Sequence, residues 1–140
     1  MKTIETVANL VKKAERNGVA LVRRRQRDYW GVGDLLEVYR VENNGETVSL
    51  YHYETLTAKV DLKNKKLIYV YGESRSDADS VSTFLDATNC FKRGEFGYKP
   101  VNGGFYLYTP EKNYFLDTDG QETVVKAFNE LNEIRIAGLC

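Results

Sequence analysis

Apolar residues fall at helical spacing at the start of this chain. Ile4, Val7, Leu10, Val11 and Ala14 share one face of a 3.6-residue period, Thr3 can cap the start, and Gly18 stops the run. The spacing predicts an amphipathic helix over about 3–17. Val19 to Arg25 then reads as a strand that is buried at its start and runs into solvent at its end. Beyond it the period changes to two, over four candidate strands at about 35–42, 47–53, 55–62 and 66–72. Leu56, Ala58, Val60 and Leu62 alternate with Thr57, Lys59 and Asp61, and Val48 and Leu50 alternate in the same way, so each of these strands has a core face and a wet face. Asn43-Asn44-Gly45 and Lys63-Asn64-Lys65 supply the turns.

Ser76 can cap a second helix, with Asp79 near the positive end of its dipole and Val81, Phe84 and Leu85 on one face as far as about Thr88. Residues 89–103, rich in Gly, Lys and Asn and containing Pro100, read as a long loop. Phe105 to Tyr108 and Tyr114 to Leu116 form a hairpin across Thr109–Asn113. Thr118 or Asp119 caps a last helix from about Gln121, with Val124, Val125, Phe128, Leu131 and Ile134 inward. The expected fold is α+β: an antiparallel meander of about four to six strands packed with N-terminal, central and C-terminal helices. With 140 residues and no linker or repeat, one domain spans 1–140.

Composition adds a boundary and an anomaly. Hydrophobic residues make 42% of the chain and charged ones 29%, the balance of a globular protein rather than a disordered one. Ten tyrosines stand against six Phe and one Trp, an excess that suits half-buried surfaces. The formal net charge is zero, which argues against binding nucleic acid by bulk charge. Yet residues 1–30 hold eight Lys and Arg against three acids. The first ten residues are too polar for a signal peptide, and no run nears the roughly 20 apolar residues of a membrane span. A cytoplasmic protein with no membrane partner is expected, with Cys90 and Cys140 as thiols.

Little in the residues points to catalysis. His52 is the sole histidine, and alternation puts it on the core face with Val48 and Leu50, with no motif marking a partner. Asp117-Thr118-Asp119-Gly120 opens like a calcium loop, but the glycine comes two positions early and Phe128 stands where a bidentate Glu is needed. Gly31-Val32-Gly33 is too short to cradle a phosphate and reads as a bend. Glu73, Asp77, Asp79 and Asp86 read as acids drawn to a helix start. No enzyme, metal or cofactor is expected.

Two surfaces suit binding. Arg23, Arg24, Arg25 and Arg27 give four guanidiniums in five residues, followed by Tyr29 and Trp30; Arg23, Arg25 and Arg27 would point one way and Arg24 the other. The alternative is a solvated strand end paired with acids elsewhere. Tyr51 and Tyr53 fall opposite Val48 and Leu50, with Tyr39, Tyr69 and Tyr71 on neighbouring strands. If helices cover one sheet face only, these rings form an anchor-rich patch; if the C-terminal helix covers the other face, they are buried.

Leu50 to Tyr69, followed by Ser74, Ser76 and a helix, resembles small accessory proteins of phages and plasmids of Gram-positive bacteria, in which a Tyr-x-Tyr-x-Thr strand precedes a hairpin, a Ser/Thr-rich turn and a helix. Asp77-Ala78-Asp79 stands where that pattern has a Thr-Thr pair and a His. The resemblance implies a mobile-element origin and an anti-defence role of the anti-CRISPR type. The expected function is a non-enzymatic inhibitor, acting in the host cytoplasm, that binds a host defence protein or ribonucleoprotein such as a CRISPR effector nuclease. The alternatives are nucleic-acid binding through Arg23–Arg27 and a small-ligand sponge built on the Tyr-rich region.

Overall fold

Gly18 closes the first helix, α1 (Thr3–Asn17), at φ +82°, a left-handed conformation in which its N–H reaches the Ala14 carbonyl at 2.8 Å. The computed structural model describes residues 3–28, 31–72, 74–88, 96–99, 104–108, 112–115 and 121–139. From Gly18 the chain enters β1 (Val19–Asp28), β2 (Gly31–Asn43), β3 (Thr47–His52), β4 (Thr55–Asp61) and β5 (Lys66–Val70). These pair antiparallel in sequence order, so the meander expected from alternation is the observed sheet. At the β2–β3 turn Asn44 Oδ1 accepts from the Glu46 and Thr47 amides at 2.9 and 2.8 Å, with Gly45 at φ +91°. At the β4–β5 turn the Asp61 carboxylate accepts from the Lys63 and Asn64 amides and from the Asn64 side chain, which holds its pKa below the usual carboxylate value.

The core lies between one face of this sheet and the helices α1 and α2 (Arg75–Ala87). Val7, Leu10, Val11 and Ala14 of α1 and Ala78, Val81, Phe84 and Leu85 of α2 are buried with Val41, Val48, Leu50, Ala58, Val60, Leu67 and Val70 of the strands. The N-cap of α2 is Ser74, two residues before the expected Ser76: Ser74 Oγ accepts from the Asp77 amide at 3.1 Å. Gly31-Val32-Gly33 is strand rather than a bend, because it continues the pairing with β1 out to Asp28↔Gly31. Part of the expected 89–103 loop is strand too. Phe96–Lys99 (β6) pairs with Gly104–Tyr108 (β7), which pairs with Asn113–Phe115 (β8), giving a separate three-stranded sheet that adds Leu107 to the core. On β7 Tyr106 and Tyr108 share hydroxyls, and that hydrogen bond, with burial, pushes the Tyr106 phenol up to about 12.

The last helix, α3 (Gln121–Leu139), buries Val124 and Phe128 in the same core. Its next residue, Asn129, does what a sixth strand would do. The Leu67 N–H donates to Asn129 Oδ1 at 2.8 Å, and Asn129 Nδ2 donates to the Leu67 carbonyl at 3.0 Å. Both backbone groups lie on the free edge of β5, where open pairing groups invite another chain. Replacing the side chain by Asn129→Ala leaves both unpaired and should cost about 1–3 kcal/mol. Chemical denaturation measures it, and an unchanged midpoint would rule out this edge-closing role.

Candidate functional site

Alternation carries His52, the last residue of β3, to the helix-covered face beyond Val48 and Leu50. Its register partner on β2 is Tyr39, and the two rings stack at 4.6 Å with 14° between their planes. Across from them, the Ser74 cap sets Asp77 in the first turn of α2, where an acid also suits the helix dipole. The Asp77 carboxylate meets the imidazole there: Nδ1–H donates to Asp77 Oδ1 at 2.7 Å, with the two side chains only 11% and 15% exposed. A proton held on Nδ1 leaves the lone pair of a neutral ring on Nε2.

The next two residues, Tyr53 and Glu54, form the β3–β4 turn with φ of +48° and +68°. Such two-residue hairpin turns favour Asn-Gly, and a left-handed non-glycine residue costs about 1–3 kcal/mol. The strained turn is held by the Tyr53 amide donating to the Val38 carbonyl at 3.0 Å and by the Tyr53 ring leaning on His52 at 4.7 Å and 31°. Two bulges shape the ground below. Val38 is skipped between the pairs Val22↔Tyr39 and Arg23↔Glu37, and Thr57 between Leu50↔Ala58 and Tyr51↔Leu56. Thr57 is thereby buried, with Oγ1 donating to the Leu50 carbonyl at 3.2 Å.

These elements enclose a cavity of about 730 Å³. Buried Thr6, Val38, Tyr39 and Thr57 line its depth, and exposed Arg23, Arg24, Tyr53, Thr55, Ser74 and Ser76 form its rim. His52, Asp77 and Tyr71 stand between. Hydroxyl groups dominate the polar lining, and the one carboxylate in it among the described residues, Asp77, is already engaged by His52. Arg23 and Arg24 form no ion pair among the described residues. An anion entering here meets donors and positive charge.

Not all the residues singled out from sequence converge. Arg23 and Arg24 both line the cavity, rather than dividing between opposite sides as alternation predicts, although they are consecutive on β1. Arg25 is exposed on the same strand; the side chain of Arg27, with Tyr29 and Trp30, lies outside the described residues. Beyond Tyr39, β2 has no pairing with β3, so residues 23–28 and 31–37 form a two-stranded arm extending past the sheet. Tyr51 and Tyr53 part company at the turn: Tyr53 joins the cavity, whereas Tyr51 stays on the opposite sheet face beneath the Arg40 guanidinium, 4.4 Å from its ring centroid. Arg40 in turn donates to Glu37 at 2.8 Å and lies 2.9 Å from Glu42. Tyr39 and Tyr71 are cavity residues too, so the tyrosines do not form one face.

Sequence reasoning missed Asp77 as the partner of His52, since a first-turn acid has an ordinary explanation in the helix dipole. The available signal was coarse: His52, Tyr53, Thr55, Thr57, Ser74 and Ser76 all belong to, or follow directly on, the Tyr-x-Tyr-x-Thr and Ser-x-Ser pattern, and all line the cavity. Among the described residues, no three His, Cys, Asp or Glu side chains are gathered to hold a metal. Cys90, Cys140 and Asp117–Gly120 lie outside those residues. No described helix is long and apolar enough to cross a membrane.

The His52–Asp77 bond predicts a measurable coupling. His52→Ala or Asp77→Ala alone leaves a nearly buried polar partner unsatisfied and should destabilise by about 1–3 kcal/mol. The double variant should lose less than the sum of the two, so that a double-mutant cycle in denaturant returns a non-zero coupling energy. Strict additivity would mean that the two side chains do not depend on each other.

Compared with protein-family models, with curated proteins and with solved structures, the chain matches none.

Proposed function

We propose that this protein is a non-enzymatic binding protein that captures a small, polar, anionic ligand in the His52–Asp77 cavity. The observation that carries the reading is the meeting, around about 730 Å³, of the lone histidine, its carboxylate partner, a ring of hydroxyls and two arginines with no ion-pair partner among the described residues. Small-molecule sites typically occupy roughly 300–1,000 Å³ and fix their ligand with a few convergent polar groups. Guanidiniums supply charge and paired donors for an oxyanion, hydroxyls adapt as donor or acceptor, and the backbone amides of the first turn of α2 add a positive end. The strained Tyr53-Glu54 turn adds weight, because left-handed non-glycine backbone persists where surrounding structure demands it.

The reading is tested by thermal shift and calorimetry against small anions: phosphate, pyrophosphate, dicarboxylates and nucleotides, each beside a neutral analogue. At least one anion should raise the melting temperature in a concentration-dependent way, by the roughly 2.7 kcal/mol that one site gives at a hundredfold excess over Kd. Arg24→Ala should weaken that response at least several-fold, and the ligand should be recovered chemically unchanged. A flat response to every anion would sink the reading. Turnover of the bound ligand would overturn its non-enzymatic part.

A second reading rests on the arm. Arg25 shares the exposed strand with Arg23 and Arg24, and none of the three has an ion-pair partner among the described residues. An arginine run on such an arm suits docking on an acidic surface of a host defence protein, such as a CRISPR effector nuclease, in line with the resemblance to mobile-element accessory proteins. Capture of one stoichiometric protein from nuclease-treated bacterial lysate, abolished by Arg25→Glu with Arg27→Glu, is the expected result. If the double variant captures the same protein equally well, the arm is not the docking element. Loss of binding on nuclease treatment would move the reading to nucleic acid, whose hold must also weaken steeply with salt.

A further inference from the structure

We infer that the ligand of this cavity is a nucleotide, its base laid on the open face of Tyr53 and its phosphate held at Arg23 and Arg24. This inference rests on the anion-binding reading of the same cavity. Three rings stand in series along one wall: Tyr39 on His52 at 4.6 Å and 14°, and His52 beside Tyr53 at 4.7 Å and 31°. Tyr39, at the inner end, is 6% exposed and closed to a ligand. Tyr53, at the outer end, is 53% exposed, so the series ends on an aromatic face turned to solvent at the cavity rim. A planar base continues that stack and excludes water from the exposed ring.

The rim also carries Arg23 and Arg24, whose guanidiniums match the oxygens of a phosphate. Size points the same way. A cavity of about 730 Å³ is far larger than a lone oxyanion requires and lies within the range of nucleotide-sized ligands. Hydroxyls at Thr55, Ser74 and Ser76 lie on the same rim, suited in chemistry to the sugar between base and phosphate. Tyr53 occupies a left-handed turn position that favours Asn, yet a large aromatic residue stands there. A ring that serves ligand contact accounts for that choice better than the turn itself does.

The turn also supplies the test, since Tyr53→Asn removes the ring while keeping the backbone conformation. Binding of AMP, GMP, CMP and UMP is measured by calorimetry beside ribose 5-phosphate and inorganic phosphate. For the wild-type protein at least one nucleotide should bind roughly tenfold or more tightly than ribose 5-phosphate, as base stacking on a tyrosine gives. Tyr53→Asn should bring that nucleotide down to the ribose 5-phosphate level, leaving the sugar phosphate itself unaffected. Arg24→Ala should weaken both. Equal affinity for nucleotides and ribose 5-phosphate, or an unchanged nucleotide affinity in Tyr53→Asn, overturns the nucleotide assignment and leaves the anion pocket standing. Failure of every phosphate to bind, while a dicarboxylate does, overturns it as well. If no anion of any class binds, both readings fall together.

Discussion

The hydrogen bond from His52 to Asp77 ties the end of one strand to the start of a helix 25 residues away, and the geometry of the cavity follows from it. Between the two residues lie the Tyr53-Glu54 turn, β4 and β5, all of which must return the chain so that α2 begins opposite the end of β3. The bond is directional, and both side chains are nearly withdrawn from water, so it specifies an angle as well as an approach. Tyr39 stacks on the imidazole and limits its rotation, while Ser74 fixes the first turn of α2 through the Asp77 amide. The ring is thus held from one side by the sheet and from the other by the helix. Tyr53, leaning on that ring, can then be kept in a backbone conformation it would otherwise avoid.

The meander and its helices were legible because their signals are local. Val48, Leu50, Ala58 and Val60 alternate with polar residues, Asn44-Gly45 makes a turn by its own side chain and backbone, and Gly18 ends α1 by adopting a positive φ. The cavity was legible only in fragments. His52 reads correctly as a residue of the core face, but nothing in the spacing of His52 and Asp77 announces that they meet. The bulges at Val38 and Thr57 are invisible to alternation, since one extra residue reverses every side chain beyond it. Tyr53 was misplaced for a related reason: the strand ends at His52, and a residue in the turn has no strand face. Asn129 gave no sign at all, because a helical asparagine reads as an indifferent surface residue until a sheet edge is brought beside it.

A neutral protein whose Arg23 and Arg24 form no ion pair among the described residues needs an account of where its acids are. The register gives one. Val19 and Arg23 of β1 lie across from Glu42 and Glu37 of β2. Arg40 engages both, through Glu37 at 2.8 Å and Glu42 at 2.9 Å, while its guanidinium covers Tyr51. The carboxylate nearest the cavity, Asp77, is engaged by His52 in the same way. Glu37, Glu42 and Asp77 are thus each held by another base, and a zero net charge coexists with two arginines at the cavity rim. Among the described residues, the two guanidiniums thus stand without an ion-pair partner at the rim of the cavity where the fold also provides depth, hydroxyls and an exposed ring, while the chain as a whole stays neutral.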